Sequence, residues 1–102
     1  MARRVIIKTM IKFFRDTETE RLFRREFSRR FPVNLLRIAW AKLAILDAAE
    51  RLDDLRVPPG NRLEKLFEDR EGQYSIRIND QWRVCFRWQE GNAYEVGVTD
   101  YH

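Results

Sequence analysis

The chain has 102 residues, 44% hydrophobic and 13% aromatic, with 20 Lys and Arg against 16 Asp and Glu and a net charge of +4. That length suits one domain over residues 1–102, and three Trp, three Tyr and seven Phe exclude a disordered chain. No run of about 18 apolar residues offers a membrane span. The lone Cys85 and lone His102 exclude an internal disulfide, a multi-cysteine zinc site and any catalysis needing two imidazoles. No metal or cofactor is therefore expected, and the composition reads as cytoplasmic.

Residues 5–7 and 10–14 are short apolar runs suited to an N-terminal strand, and residues 1–9 read equally as an extension ahead of a start at Met10. Thr17 and Glu20 make a Thr-x-x-Glu capping box, in which each side chain satisfies an orphan amide of a helix start. A helix is predicted from there to about Ser28, burying Leu22, Phe23 and Phe27 and exposing Arg21, Arg24 and Arg25. Pro32 ends that segment, because its ring keeps the preceding residue out of the helical region.

Asn34 is the expected cap of a second helix, antiparallel to the first and running to about Leu52. Its predicted apolar surface is Leu36, Trp40 and Leu43 with Ile38, Ile45, Ala49 and Leu52. Ala41, Ala44 and Ala48 line a further side that admits close packing. The connector Val57-Pro58-Pro59-Gly60-Asn61 cannot continue a helix.

The remainder alternates with period two, the mark of strands with one buried face. Tyr74, Ile76 and Ile78 form one such set, Trp82, Val84, Phe86 and Trp88 the next, and Tyr94, Val96 and Val98 the last. Asn79-Asp80-Gln81 and Glu90-Gly91-Asn92 supply the turns. The pattern predicts an α+β fold: an N-terminal strand and two antiparallel helices on one face of an antiparallel sheet.

Charge is uneven. Residues 1–31 hold ten basic and four acidic side chains, whereas residues 62–102 hold six basic and eight acidic. A basic helix of this kind is either a solvated face or a phosphate-contacting patch, and charge alone does not choose. On the sheet, alternation puts Arg77, Arg83 and Arg87 on the open face with Cys85, Thr99 and Tyr101. Guanidinium groups fork onto phosphates and aromatic rings stack on unpaired bases, so this face suits RNA. The plainer reading pairs these arginines with Asp80 or Glu95 across the sheet. At the C-terminus, Asp100-Tyr101-His102 sets a carboxylate, a phenol and an imidazole side by side. RNA cleavage by its own 2′-hydroxyl needs a base, an acid for the departing 5′-oxygen, and positive charge on the phosphate.

Three separated segments resemble HigB-type toxins of the RelE/ParE superfamily of toxin–antitoxin systems. They are Asp54-Leu55-Arg56-Val57-Pro58-Pro59-Gly60-Asn61-Arg62-Leu63-Glu64, the stretch from Gly72 to Phe86, and the terminal Asp100-Tyr101-His102. The resemblance covers roughly residues 10–102. It implies the RelE-like α+β fold and a ribosome-dependent mRNA endonuclease that blocks translation. It implies as partners the ribosome and mRNA, a small helix-turn-helix antitoxin of HigA type, and operator DNA reached only through the antitoxin complex. By the same resemblance Asp100, Tyr101 and His102 form the catalytic cluster, and Arg83 stabilises the scissile phosphate. Glu64 takes the position where some members have histidine, and Arg70, Arg77 and Arg87 are RNA contacts.

Where relatives read Leu-Lys-Gly-Asp-Arg, this chain has Leu66-Phe67-Glu68-Asp69-Arg70, a change of two charge units away from RNA. That departure motivates an alternative reading, a member that binds its antitoxin but cleaves poorly. A further alternative is an inhibitor like the gyrase-targeting members, which lack the terminal Asp-Tyr-His. The antitoxin is expected to cover either the basic first helix or the alanine side of the second.

Overall fold

A computed structural model describes residues 10–26, 28–66 and 72–101. The strand expected at residues 5–7, the burial of Phe27, the Phe67-Glu68 departure, Arg70 and His102 lie outside the described residues. The elements are α1 (Thr17–Phe23), α2 (Val33–Ala48), two 3-10 turns (Leu52–Arg56 and Pro59–Asn61), β1 (Glu64–Lys65), β2 (Gln73–Arg77), β3 (Trp82–Gln89) and β4 (Asn92–Asp100). The strands form one antiparallel sheet in the order β1-β2-β3-β4, with the two helices packed against it.

The turns form for local reasons. Asn79 accepts from the amides of Gln81 and Trp82 through its side-chain oxygen at 2.9 and 2.8 Å, which folds β2 back into β3. Glu90 and Gly91 both take positive φ (52° and 80°) between the paired Gln89 and Asn92, the twist a two-residue hairpin loop needs.

The N-terminal strand expected over residues 10–14 does not form as a strand. The segment touches β4 in parallel only at two isolated bridges, Ile11–Ala93 and Phe14–Val96, because its start is bonded instead to Asp47 of α2. Asp47 fixes its start by accepting from the amides of Met10 and Ile11 at 3.1 and 3.0 Å. Beyond this segment the Thr19 hydroxyl accepts from the Val98 amide at 3.0 Å. The outer edge of β4 is thus closed by backbone first and by a helix side chain next, which leaves fewer open edge groups.

Both helices differ from expectation at their ends. Asp16, not Thr17, caps α1, its carboxylate accepting from the Thr19 amide at 2.7 Å. The helix stops at Phe23 instead of Ser28 because Arg25 adopts φ 60°. The Arg25 amide bonds to the Leu22 carbonyl at 3.0 Å and the Glu26 amide to Arg21 at 2.8 Å. This left-handed stop is usually glycine, so an arginine there gave no warning. In α2 the N-cap is Pro32, with no side-chain bond, and Asn34 already lies inside the helix. Ala49 turns extended, and Leu52 begins a 3-10 turn.

The buried stripe of α2 is Leu35, Ala39, Leu43 and Leu46. Of the predicted surface Leu43, and Ala49 just past the helix, are therefore buried, while the rest lie beside the core or outside it. Ile38 is 45% exposed, and Leu36, Trp40 and Ile45 only flank the core. These four side chains meet Ile76, Val84, Phe86, Val96 and Val98 from the sheet. Full burial of one such large aliphatic side chain contributes roughly 1.5–3 kcal/mol.

Strict alternation fails once. Cys85 pairs with Gly97 but Arg87 with Tyr94, so β4 carries one extra residue there, with Glu95 at φ 52°. The bulge gives the core position to Ala93, which is fully buried, and takes Tyr94 out of the predicted core row. Tyr94 instead meets Phe13 edge-on at 5.7 Å.

Candidate functional site

The sheet face away from the helices is built in rows. Arg77, Arg83 and Thr99 are directly cross-strand, and Ser75, Cys85 and Gly97 form the next row. That second row consists of small side chains, which leaves room for long neighbours to lie flat over it. Arg83 does so. Its Nε donates to the Ser75 hydroxyl at 2.8 Å, and Nη2 donates to the Arg62 carbonyl at 2.6 Å and to the Ser75 carbonyl at 3.4 Å. Glu64 of β1 stands 3.8 Å from the same nitrogen. Arg83 is only 8% exposed, so its charge is held in place rather than waving in water.

The acceptor at Arg62 is itself braced. Asn61 is fully buried, and its side-chain amide donates to the carbonyls of Leu55 and Val57 at 3.1 and 3.3 Å. Lys42 of α2 donates to the Asn61 oxygen at 2.6 Å. Burial, and secondly the positive charge of Arg77, lower the Lys42 ammonium below its usual 10.5. The connector is therefore knotted around Asn61, and Arg62, at φ 44°, follows as its last turn.

From the other side Arg15 reaches over Gly97 and donates to the Thr99 hydroxyl at 2.9 Å. A Cβ on Gly97 would come within 2.5 Å of the Arg15 guanidinium, so this arginine lies directly on the glycine backbone. The sequence reading missed Arg15, because the segment that bears it has no strand periodicity. The only signal was a basic residue just before the Asp16 cap.

Tyr101 joins this cluster, and Asp100 does not. The Tyr101 ring lies 5.9 Å from the Arg83 guanidinium, and its oxygen accepts from the Cys85 thiol at 3.8 Å. Asp100, paired with Trp82, accepts from the Gln81 side chain at 3.0 Å. Consecutive strand residues point to opposite faces, which separates the two. His102 and Arg70 lie outside the described residues. Arg77 and Arg87 flank the cluster at its two ends, ion-paired to Asp80 and Glu95 respectively. Exposed pairs of this kind contribute about 0–1 kcal/mol, so a phosphate can displace the carboxylate at small cost.

Among the described residues no group of three His, Cys, Asp or Glu side chains could hold a metal ion. What the face offers is fixed positive charge, a phenol and a carboxylate around a shallow floor. Such an arrangement can bind a phosphodiester and stabilise charge building on it.

A family model described as the RelE-like toxin of type II toxin–antitoxin system HigB matches residues 10–102. The chain belongs to this family. It is 40% identical over 86 residues to Toxin HigB-1 of Vibrio cholerae serotype O1, covering 84% of this chain and 82% of that protein. It is 30% identical over 93 residues to Endoribonuclease HigB of Proteus vulgaris, covering 91% and 100%. An uncharacterized protein of Haemophilus influenzae is 37% identical over 82 residues. As a HigB-family toxin the chain has an antitoxin as its partner. No helix among the described residues is long and apolar enough to cross a membrane.

Proposed function

We propose that this toxin is an mRNA endonuclease that cuts translated messages at the ribosome, with the open sheet face as its active site. The observation that carries the reading is Arg83, almost buried yet fixed across the sheet beside Tyr101. An arginine held by Ser75 and the Arg62 carbonyl meets developing phosphate charge without reorganising. The Proteus vulgaris relative's name, an endoribonuclease, supports the same reaction class.

In this mechanism the RNA 2′-oxygen attacks the adjacent phosphorus, the bond to the 5′-oxygen breaks, and a 2′,3′-cyclic phosphate and a 5′-hydroxyl result. Arg83 takes the charge on the non-bridging oxygens. His102, with Tyr101, supplies proton transfer to the leaving oxygen, and Glu64 orients the nucleophile or takes its proton. Asp100, turned to the other face and bonded to Gln81, acts only by steadying the chain end that bears them. Arg15, Arg77, Arg87 and Arg70 hold flanking phosphates. With a single imidazole in the chain, the ribosome supplies the alignment that a fuller set of acid and base groups would give. The antitoxin is a HigA-like helix-turn-helix protein, operator DNA is reached only through its complex with the toxin, and the setting is cytoplasmic.

The test is 5′-end mapping of mRNA in a translation reaction, with wild type beside Arg83→Ala and His102→Ala. Cuts at codons of translated message, lost in both variants, are the expected result. Absence of cuts by wild type, where a related toxin cleaves, would turn the reading toward an antitoxin-binding member that does not cleave.

A further inference from the structure

One cavity among the described residues lies away from the sheet face. It is a groove of about 590 Å³ on the helical layer, lined by Leu22, Arg25, Glu26, Leu36, Arg37 and Trp40. Its size falls in the range of about 300–1,000 Å³ typical of ligand-sized sites, with room for several side chains. Its floor is apolar. Trp40 spends its single donor on the Phe23 carbonyl at 3.1 Å, so its indole brings no free donor to the groove, and Leu22 and Leu36 add to the apolar lining.

The charges on the rim carry the argument further. Three arginines of this layer are neutralised: Arg21 by Glu18, Arg24 by Glu20 and Arg30 by Asp16. Among the described residues no carboxylate lies within ion-pair distance of Arg25, Arg29 or Arg37, and Arg25 and Arg37 line the groove. Arg25 is held in its left-handed turn with the guanidinium 3.8 Å over the Trp40 ring. A guanidinium on an indole face is attracted by about 0.5–2 kcal/mol, too little to oppose a carboxylate arriving with apolar contacts behind it. Glu26 is the one acidic group in the lining and is outnumbered.

We propose that this groove docks an acidic amphipathic segment of the antitoxin. An apolar side chain enters between Leu36 and Trp40, and carboxylates on either side reach Arg25 and Arg37. Amphipathic helices bind apolar grooves in this manner. The inference rests on the antitoxin as partner and decides where that partner sits. Ala41 and Ala48 are exposed but contribute nothing to the groove, so the alanine side of α2 is not the docking surface. The occupant sits on the helical layer, across the sheet from Arg83, and leaves the arginine cluster uncovered.

Calorimetric titration of the full chain with the antitoxin encoded beside it tests this. Arg37→Glu is expected to weaken binding at least tenfold and to flatten its salt dependence, and Trp40→Ala to weaken it more. Ala41→Glu, Ala48→Glu and Arg83→Ala should bind as wild type. Trp40 touches the core, so circular dichroism accompanies each variant; the exposed Arg37→Glu decides if Trp40→Ala fails to fold. Binding of Arg37→Glu within twofold of wild type overturns the groove and leaves the antitoxin reading standing. No complex with the wild-type chain overturns both.

Discussion

The open face of the sheet and the helical layer both present arginines, but they hold them differently. On the open face Arg15, Arg77, Arg83 and Arg87 each have a fixed protein partner, respectively Thr99, Asp80, the Ser75–Arg62 pair and Glu95. On the helical layer Arg25, Arg29 and Arg37 have no carboxylate among the described residues. The difference matches the roles proposed for the two surfaces. Charge that stabilises a transition state has to be in place before the reaction, whereas charge that captures a protein gains most when the partner brings the counter-ion.

Removing the fixed charge breaks the comparison hardest. Arg83→Ala is expected to lower the cleavage rate on translated mRNA about 10²–10³-fold, the loss typical of one preorganised charge-stabilising donor, while antitoxin binding stays unchanged. Single-turnover end mapping measures the first and titration the second. Equal loss of both would mean the two faces are not separate.

The bracing of Arg62 comes next. Asn61→Ala leaves the Leu55 and Val57 carbonyls and the Lys42 ammonium without their partner. Urea unfolding is expected to show a loss of about 1–3 kcal/mol, and cleavage should fall with it as the carbonyl holding Arg83 shifts. Stability lost with the cleavage rate of folded protein unchanged would show that the connector does not position Arg83.

Smaller effects sharpen the contrast. Arg87→Gln removes an exposed pair with Glu95 and should change stability by only about 0–1 kcal/mol. Lys42 offers a test by pH. Its folded-state pKa lies below 10.5, so the folded protein disfavours the charged form. The Lys42 contribution is therefore least favourable near neutral pH. It rises as pH climbs through the lowered value toward 10.5. Lys42→Met removes that rise, read as a pH-dependent difference in unfolding free energy between wild type and variant; a constant difference would contradict the burial of Lys42.

The sequence made the strands legible, because alternation survives wherever one face is buried: Ile76, Val84, Phe86, Val96 and Val98 all lie in the core row they were expected to fill. It also grouped Arg83, Cys85, Thr99 and Tyr101 correctly, since parity needs only a regular strand. Tyr94 escaped that logic at one extra residue in β4, where the positive φ falls on Glu95 rather than a glycine. The end of α1 was hidden for the same reason, with Arg25 in a glycine conformation. Helix 2 misled because its apolar residues outnumber its buried ones. Leu36, Trp40 and Ile38 looked like core and instead border the groove or face solvent. Arg15 and Asn61 act through contacts distant in sequence, which periodicity cannot report.

The separation of the two surfaces is tested most directly in cells expressing the toxin with and without its antitoxin, comparing Arg83→Ala with Arg37→Glu. Arg83→Ala is expected to leave growth intact in both cases while still co-purifying with the antitoxin. Arg37→Glu is expected to arrest growth even when the antitoxin is present. Arrest by Arg83→Ala, or full rescue of Arg37→Glu by the antitoxin, would contradict a sheet face that cleaves and a helical face that is captured.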